Sequence, residues 1–463
     1  MKKNLVLISL LMACVLLLAS CDSLATLLPA PMNARQLERR VNRKMENVQS
    51  YRTDIEMQYR TYAGGGKITG SATGVLIEDR PEDESDYYSY MELKNEIKSG
   101  NTTIKLRNTE AYLDGTAYSL FGDGKFTRKL YSEMTPEEYN VYREGESLVE
   151  FNLQDCENAE MEKTEQGYVL TYSGYSAQAV RDYSQASGMG LDLFGEDLKD
   201  LNVTMQVNKD YLPDKITMEM VFDVEEGSYY QPQASITMTF SQFNEAERIT
   251  KGFSDQQYVK IESLSLLKQL ERMIEDKIDA KETSFSFDIS QSVTMMGQSN
   301  EERLRGHVSF TRDKDGLSYK AELTEDENME SVVEYKNGQK TTEINGKTTT
   351  VDMAEYKAEQ YISSLINDSA LGYNINYVTN IKRKGDGYLV AMGTSKNSVM
   401  GQSVTSTGAT FGNASHTIEF VLDGDELKSM TAQYKAMGMV SVNMGWNTSV
   451  TMHILGNASV EFE

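Results

Sequence analysis

Residues 33–60, NARQLERRVNRKMENVQSYRTDIEMQYR, hold the change of period that decides the fold. Leu37, Val41, Met45 and Val48 recur at helical spacing, so one apolar stripe runs from about Asn33 to Gln49. Ile55, Met57 and Tyr59 then alternate with Asp54, Glu56, Gln58 and Arg60, the pattern of a half-buried strand. A helix leads into a sheet.

Downstream, Ala63-Gly64-Gly65-Gly66 turns the first strand, and strands of mixed quality continue to about Lys129, with Asp114-Gly115 as a hairpin signal. Thr135-Pro136-Glu137-Glu138 predicts a helix start: threonine caps, proline fits the first turn, and Glu138 closes a capping box. A hairpin at Gly167-Tyr168-Val169-Leu170 comes next, then a helix near Ser176–Ala186 and a loop at Gly188-Met189-Gly190. Strands through Ile216/Met218/Met220/Phe222 and Ile236/Met238/Phe240 complete the half.

From about Tyr258 the plan starts again. Gln36-Leu37-Glu38-Arg39 recurs as Gln269-Leu270-Glu271-Arg272, and the stripe Leu37, Val41, Met45 as Leu270, Ile274, Ile278. Tyr51, Asp54 and Ile55 match Phe285, Asp288 and Ile289. Leu113-Asp114-Gly115 matches Ile344-Asn345-Gly346, and the Thr135 cap matches Asp352 with Glu355 at the box position. Gly167-Tyr168-Val169-Leu170 returns as Gly387-Tyr388-Leu389-Val390, Met218/Met220 as Ala432/Tyr434, and Ile236/Met238/Phe240 as Val450/Met452/Ile454. The matches keep their order, which reads as a duplication: residues 33–254 form one unit and 255–463 a second.

Short strands joined by tight turns imply antiparallel pairing, and a sheet of about eleven strands must curl. The expected fold is mainly β (α+β): two tandem curled antiparallel sheets, unclosed β-barrels, each with two or three amphipathic helices over its concave face. This element order resembles the LolA, LppX and RseB group of bacterial envelope proteins. The leading helix and the Ser50-Tyr51-Arg52-Thr53-Asp54-Ile55 segment after it are also similar to clostridial-type lipoproteins of unknown function. The resemblance implies a half-barrel plugged by helices, with an acyl chain or other lipid as its ligand.

At the N-terminus, Lys2 and Lys3 precede an apolar run from Leu5 to Leu18, too short for a comfortable membrane span, and Leu18-Ala19-Ser20-Cys21 ends it. This resembles the bacterial lipoprotein signal, which implies removal of residues 1–20 and diacylglyceryl attachment at Cys21; the alternative is an ordinary secretory signal. Two acyl chains make a stable anchor where one is marginal. Residues 21–32 then form the tether, with Pro29 and Pro31. About a dozen residues span at most ~40 Å, so the first unit would work close to the outer face of the cell membrane.

The chain has 463 residues and a net charge of −24, a surface that repels nucleic acid and anionic membranes. Against that background Arg35, Arg39, Arg40, Arg43 and Lys44 crowd the first helix. They read either as contacts for anionic headgroups or as an ordinary solvated face. With Cys21 lipidated and Cys14 removed, only Cys156 remains, so no internal disulfide can form. Methionine is abundant, with 25 residues, and serves to fill irregular cores or to line an imprecise apolar site.

Chemistry is sparse. His307, His416 and His453 are the only histidines, without metal-ligand spacing or a nucleophile elbow, and read as surface or strand-edge residues. Asp313-Lys314-Asp315-Gly316 and Asp423-Gly424-Asp425 read as hairpin turns rather than calcium loops. No enzyme, cofactor or metal site is expected. The sequence supports a membrane-anchored extracytoplasmic lipoprotein that binds a hydrophobic ligand. Its candidate lining residues are Ile55, Met57, Met218, Met220 and Met238 in the first unit, and Ile289, Met430, Met452 and Ile454 in the second. The alternative is a sensor or scaffold that binds an envelope protein, with tyrosines such as Tyr87, Tyr88, Tyr90, Tyr229 and Tyr230 at its interface.

Overall fold

The first helix ends just before the period changes. A computed structural model describes residues 32–463 apart from 64–65, 82–85, 144–155, 176–197, 223–230, 315, 326–328, 370–371, 397, 399–409 and 444–446. In it Asn33 Oδ1 accepts from the Gln36 N–H at 2.9 Å, and Gln36 Oε1 accepts from the Asn33 N–H at 3.2 Å. This reciprocal cap opens α1 (Ala34–Glu46), whose Ala34, Leu37 and Val41 are buried. The expected signal, Cys21, the helix near Ser176–Ala186, Gly188-Met189-Gly190, and Tyr229 and Tyr230 lie outside the described residues.

Strands dominate the rest of the chain. β1 (Ser50–Ala63), β2 (Gly66–Asp79), β3 (Tyr88–Ser99), β4 (Thr102–Leu113), β5 (Thr116–Gly122) and β6 (Thr127–Glu133) run as a meander to α2 (Pro136–Arg143). β7 (Cys156–Lys163), β8 (Gly167–Tyr175), β9 (Leu198–Asn208), β10 (Pro213–Phe222) and β11 (Gln233–Ser241) return to pair with β1, and the short β12 (Val259–Lys260) comes after them. After α3 (Leu264–Ile278) come β13 (Glu282–Met295), β14 (Gln298–Asp313), β15 (Gly316–Glu325), β16 (Met329–Lys336), β17 (Gln339–Ile344) and β18 (Lys347–Asp352). α4 (Glu355–Ser369) leads to β19 (Val378–Lys384), β20 (Gly387–Met392), β21 (Thr410–Asp423), β22 (Glu426–Asn443) and β23 (Asn447–Phe462).

The protein is mainly β, with two large unclosed sheets and four α-helices among the described residues. The first sheet has the order β12-β6-β5-β4-β3-β2-β1-β11-β10-β9-β8-β7, and the second β18-β17-β16-β15-β14-β13-β23-β22-β21-β20-β19. Without β12 the two orders are the same. Pairing is antiparallel everywhere except β12 on β6. Gly167 and Gly387, matched in the sequence, hold equivalent places: a Cβ at either would fall 2.1 Å or less from a carbonyl oxygen of the neighbouring strand.

Strand order corrects several of the matches. The equivalent of Asp114-Gly115, between β4 and β5, is Asn337-Gly338 between β16 and β17, not Asn345-Gly346. With Ile55 aligned to Ile289, the cross-strand partners are Met238 and Ala458, so the last strands match Ile236/Met238/Phe240 to Gly456/Ala458/Val460. On the preceding strand Met218 and Met220 then match Tyr434 and Ala436. The Thr135–Glu138 box forms as expected, at 2.7 and 3.1 Å. Asp352 caps nothing: it ends β18 and accepts from Gln339 Nε2 at 3.2 Å, while Glu355 Oε1 accepts from the Leu317 N–H.

Each sheet buries one face under helices. α1 covers β1, β2 and β8–β11, and α4 lies on β13, β15, β22 and β23. α2 and α3 pack on each other, α3 also touches β6 and β22, and one apolar core runs from Tyr112, Phe121 and Leu130 through Leu267 and Leu270 into the second sheet. The opposite face shows why the sheets differ in composition. In the first, the row Ile77–Tyr90–Ala111–Tyr118 crosses β2 to β5 and is covered by Ala246, Ile249, Phe253 and Tyr258. The equivalent row in the second is His307–Glu322–Val332–Glu343, with no covering segment among the described residues. Tyr88 and Tyr90 are therefore buried rather than displayed, Tyr87 is buried on the helix side against Tyr112 and Tyr139, and burial pushes the Tyr88 phenol up to about 12.

Candidate functional site

Alternation along each strand aims every second side chain at the helices. In the first sheet this gathers Ile55, Met57, Met218, Met220 and Met238 with Leu37 and Val41 of α1 in one buried cluster. Met238 stands opposite Ile55, Met218 opposite Ile236, and Met220 opposite Ala234. Beyond them Tyr59, only 6% exposed, lies across Gly70, where a Cβ would fall 1.9 Å from its Cζ. The aromatic ring fills that end of the face.

The second sheet is furnished differently. Met430, Met452 and Ile454 are buried, while Ile289 is half-buried. Around Ile289 the register assembles a continuous apolar surface over five strands. Leu304 pairs with Ile289, Val293 with Ile454, Ala436 with Ile454, Val450 with Val440, and Gly438 with both Met452 and Phe411. Ile289, Val293, Leu304, Phe411 and Val440 remain only partly buried. The counterpart of Tyr59 here is Val293, four residues past Ile289 as Tyr59 is past Ile55, and it faces Asn300 rather than a glycine. A smaller side chain leaves open what the tyrosine closes.

Between the sheets sits a polar centre that sequence patterns did not reveal. Asp123, 2% exposed, accepts from the Lys125 and Phe126 N–H groups at 2.8 and 2.6 Å, from Tyr377 Oη at 2.9 Å, and from Ser395 Oγ. Tyr377 stacks on Phe126 and meets Phe121 edge-on. Arg128 donates through Nη1 to the Ile375 carbonyl at 2.5 Å and through Nη2 to Ser119 Oγ at 2.6 Å. Its Nε has no partner, nor has Oε2 of the buried Glu110, whose Oε1 accepts from Tyr142 Oη at 2.8 Å. Burial lowers the Arg128 pKa, and Tyr142 and Glu110 oppose that shift. These partners lie up to 272 residues apart in the chain, too far for any local pattern to link them.

The histidines part company. His453 is exposed, and His307 sits at the surface beside Ser286 Oγ at 3.2 Å. His416 is buried, against expectation, because the helix-facing side of β21 carries it edge-on to Tyr434. Burial lowers its pKa to about 4, and Nε2 has no partner. The unfolded histidine titrates near 6.5, so the unfolded state binds more protons between these values and stability rises with pH across that window. The His416 contribution is complete above about 6.5 and lost as pH falls through 4. Replacing His416 by phenylalanine should therefore shrink the stability difference between pH 7 and pH 4 by up to about 3 kcal/mol, read from urea unfolding at the two pH values.

Arg35, Arg39, Arg40, Arg43 and Lys44 are all exposed on α1, Arg35, Arg39 and Arg43 on the side away from the buried Leu37 and Val41, and Arg40 and Lys44 flanking them. Arg40 is held in place, its Nη1 donating to Tyr211 Oη at 3.0 Å and its guanidinium 5.2 Å above the Tyr211 ring. A groove of about 650 Å³ opens on the first sheet beside Gln58, Arg60, Ser71, Glu96, Lys98 and Gln233. These alternate with core-facing Tyr59, Met220 and Ala234, so the groove lies mainly on the face away from α1, and its chemistry is polar. Of the expected lining residues only Met220 borders it. Among the described residues no group of three His, Cys, Asp or Glu side chains is placed to hold a metal ion.

No protein-family model matches the chain, and no curated protein does. Among solved structures it is similar to the lipoprotein LppX of Mycobacterium tuberculosis, at 14% identity and a TM-score of 0.24, covering 46% of this chain and 96% of that one. It is also similar to the translocator domain of the autotransporter NalP of Neisseria meningitidis, at 8% identity and a TM-score of 0.11, covering 92% and 95% of the two chains. Likenesses this distant carry no functional argument. Function has to be read from the residues themselves.

Proposed function

We propose that this protein is a membrane-anchored extracytoplasmic lipoprotein, two half-barrel units in tandem, that binds a hydrophobic, lipid-like ligand without catalysing a reaction. One observation carries the reading. The second sheet presents a continuous helix-side apolar surface at Ile289, Val293, Leu304, Phe411 and Val440 that its own helices leave partly uncovered. A contiguous apolar surface left open is a mark of a binding site. In the first sheet Tyr59 fills the corresponding place, so the ligand belongs to the second unit. Met452 and Ile454 form its floor, and Ile55, Met57, Met218, Met220 and Met238 serve as core.

Native mass spectrometry on protein purified from a membrane-containing host tests this. The expected result is a non-covalent adduct of lipid mass, absent from a Val293→Glu/Phe411→Glu variant that still folds. Two clean apo preparations would count against it.

Lipidation of Cys21 would place α1 next to the bilayer, with its cations exposed and Arg35, Arg39 and Arg43 turned away from the sheet. Each exposed cation near an anionic surface contributes about 1 kcal/mol, screened by salt. Unlipidated protein should bind anionic vesicles weakly and lose them as salt rises. Replacing Arg39, Arg40 and Arg43 with glutamine should abolish the binding in a co-sedimentation assay; unchanged binding would remove the headgroup role.

A further inference from the structure

The two sheets repeat one strand order, so their helix-side rows can be compared position by position. One row differs in chemistry. In the first sheet it runs Tyr172–Val203–Met218–Ile236–Met57–Ala72, every residue buried in the cluster under α1. With Ile55 aligned to Ile289, the same row of the second sheet runs Met392–His416–Tyr434–Gly456–Gln291–Glu302. Histidine stands where the first unit has valine, glycine where it has isoleucine, and glutamine where it has methionine.

This polar row crosses the half-covered apolar surface. Leu304–Ile289–Ala458–Ala432 flanks it on one side and Val293–Ile454–Ala436–Ala414 on the other. His416 is 5% exposed, and its Nε2 has no hydrogen-bond partner, a cost that a purely structural row would avoid. Gly456 carries no side chain and so leaves room between Tyr434 and the half-buried Gln291. None of the residues in these three rows is a lysine or arginine, and Glu302, at the exposed end, is their one carboxylate.

That set of groups selects a headgroup. Burial keeps the imidazole neutral at pH 7, with one donor and one acceptor nitrogen, and the glutamine amide likewise offers both roles. A hydroxyl donates and accepts, so it pairs with either ring tautomer and with either end of the amide. An anionic group only accepts, and here it would lose its water beside Glu302 with no cation to compensate.

We propose that the hydrophobic ligand of the second unit carries a neutral, hydroxylated headgroup of the glycerol type, bound over Gly456 between His416 and Gln291, with its acyl chain on the flanking apolar rows. The assignment rests on the lipid-binding reading above and adds the chemical class of the ligand to it. His416 and Gln291 are three strands apart, about 14 Å at the backbone, a span that the two side chains and one short polyol bridge.

The test offers the delipidated full chain an equimolar mixture of 1-oleoylglycerol, oleate and methyl oleate, with native mass spectra as the readout. The three probes share one acyl chain and differ only in the headgroup. The 1-oleoylglycerol adduct should exceed each of the others about fivefold or more, the gain from one net hydrogen bond. His416→Val and Gln291→Met, which install the first unit's residue types, should each bring the ratio to methyl oleate toward one; either variant suffices if circular dichroism shows the other unfolded. Equal adducts of the three probes, a preference for oleate, or a glycerol preference that survives in both variants overturns the headgroup assignment and leaves the lipid-binding reading standing. No adduct with any probe overturns both.

Discussion

Replacing Arg128 with alanine should lower the stability of the whole molecule by roughly 2–6 kcal/mol, about 1–3 kcal/mol for each of the two buried acceptors that lose their donor. Arg128 is 4% exposed and reaches from the first sheet to the Ile375 carbonyl beside the second. Its removal takes a nearby positive charge from the buried Glu110, and orphans Ser119 Oγ and the Ile375 carbonyl together. Guanidinium unfolding monitored by circular dichroism measures the loss. Because α3 joins the two cores, the transition should stay single rather than split. A double variant, Glu110→Gln with Arg128→Met, should recover part of the loss, since no unpaired charge is then left buried. Arg303→Ala provides the contrast. Its partner Asp288 lies at the surface, with the two side chains 41% and 33% exposed, and pairs of that kind contribute about 1 kcal/mol or less.

The second large effect separates a methionine of the core from a side chain of the site. Met238 is fully buried, faces Ile55 across β1 and β11, and belongs to the cluster under α1. Met238→Ala should cost about 2–5 kcal/mol through lost burial and the cavity left behind. It should leave lipid occupancy unchanged. Val293→Glu should behave in the opposite way: half-buried at an open mouth, it loses little stability, yet it puts a carboxylate where the ligand would lie. Thermal melts paired with native mass spectra of the two variants check both halves. Loss of ligand in Met238→Ala at a temperature where the protein is folded would move the site to the first sheet.

The period change at residues 33–60 carries the fold a long way, because a helix capped by Asn33 and a strand alternating through Ile55 are local matters of spacing. The same holds for the Thr135–Glu138 box and for Gly167 and Gly387, whose need for no side chain comes from one neighbouring carbonyl each. Register is less legible. Asp-Gly and Asn-Gly turns look alike, so residue types alone pair Asn345-Gly346 with Asp114-Gly115, one hairpin too late, and alternating Met and Ile make Met452 resemble Met238 when Ala458 stands there. Asp352 has the residue types of a cap around it, yet its carboxylate is engaged by Gln339 across the hairpin.

Contacts across the chain leave no local signal. Tyr88 and Tyr90 look like surface aromatics until residues 246–258 fold over them, and His416 looks like a strand-edge residue until the sheet turns it inward. The difference between Tyr59 and Val293, on which the ligand site rests, is visible only once both are placed on equivalent strands.

The most direct measurement compares denaturing and native masses of one preparation purified from membranes. The denaturing mass reports the covalent group at Cys21, and the difference between the two reports what is bound without a covalent bond. The expected result is a diacylglyceryl-modified chain lacking residues 1–20, with an additional lipid mass in the native spectrum that Val293→Glu removes. A native mass equal to the denaturing mass, in protein never exposed to delipidating detergent, would contradict the ligand-binding role.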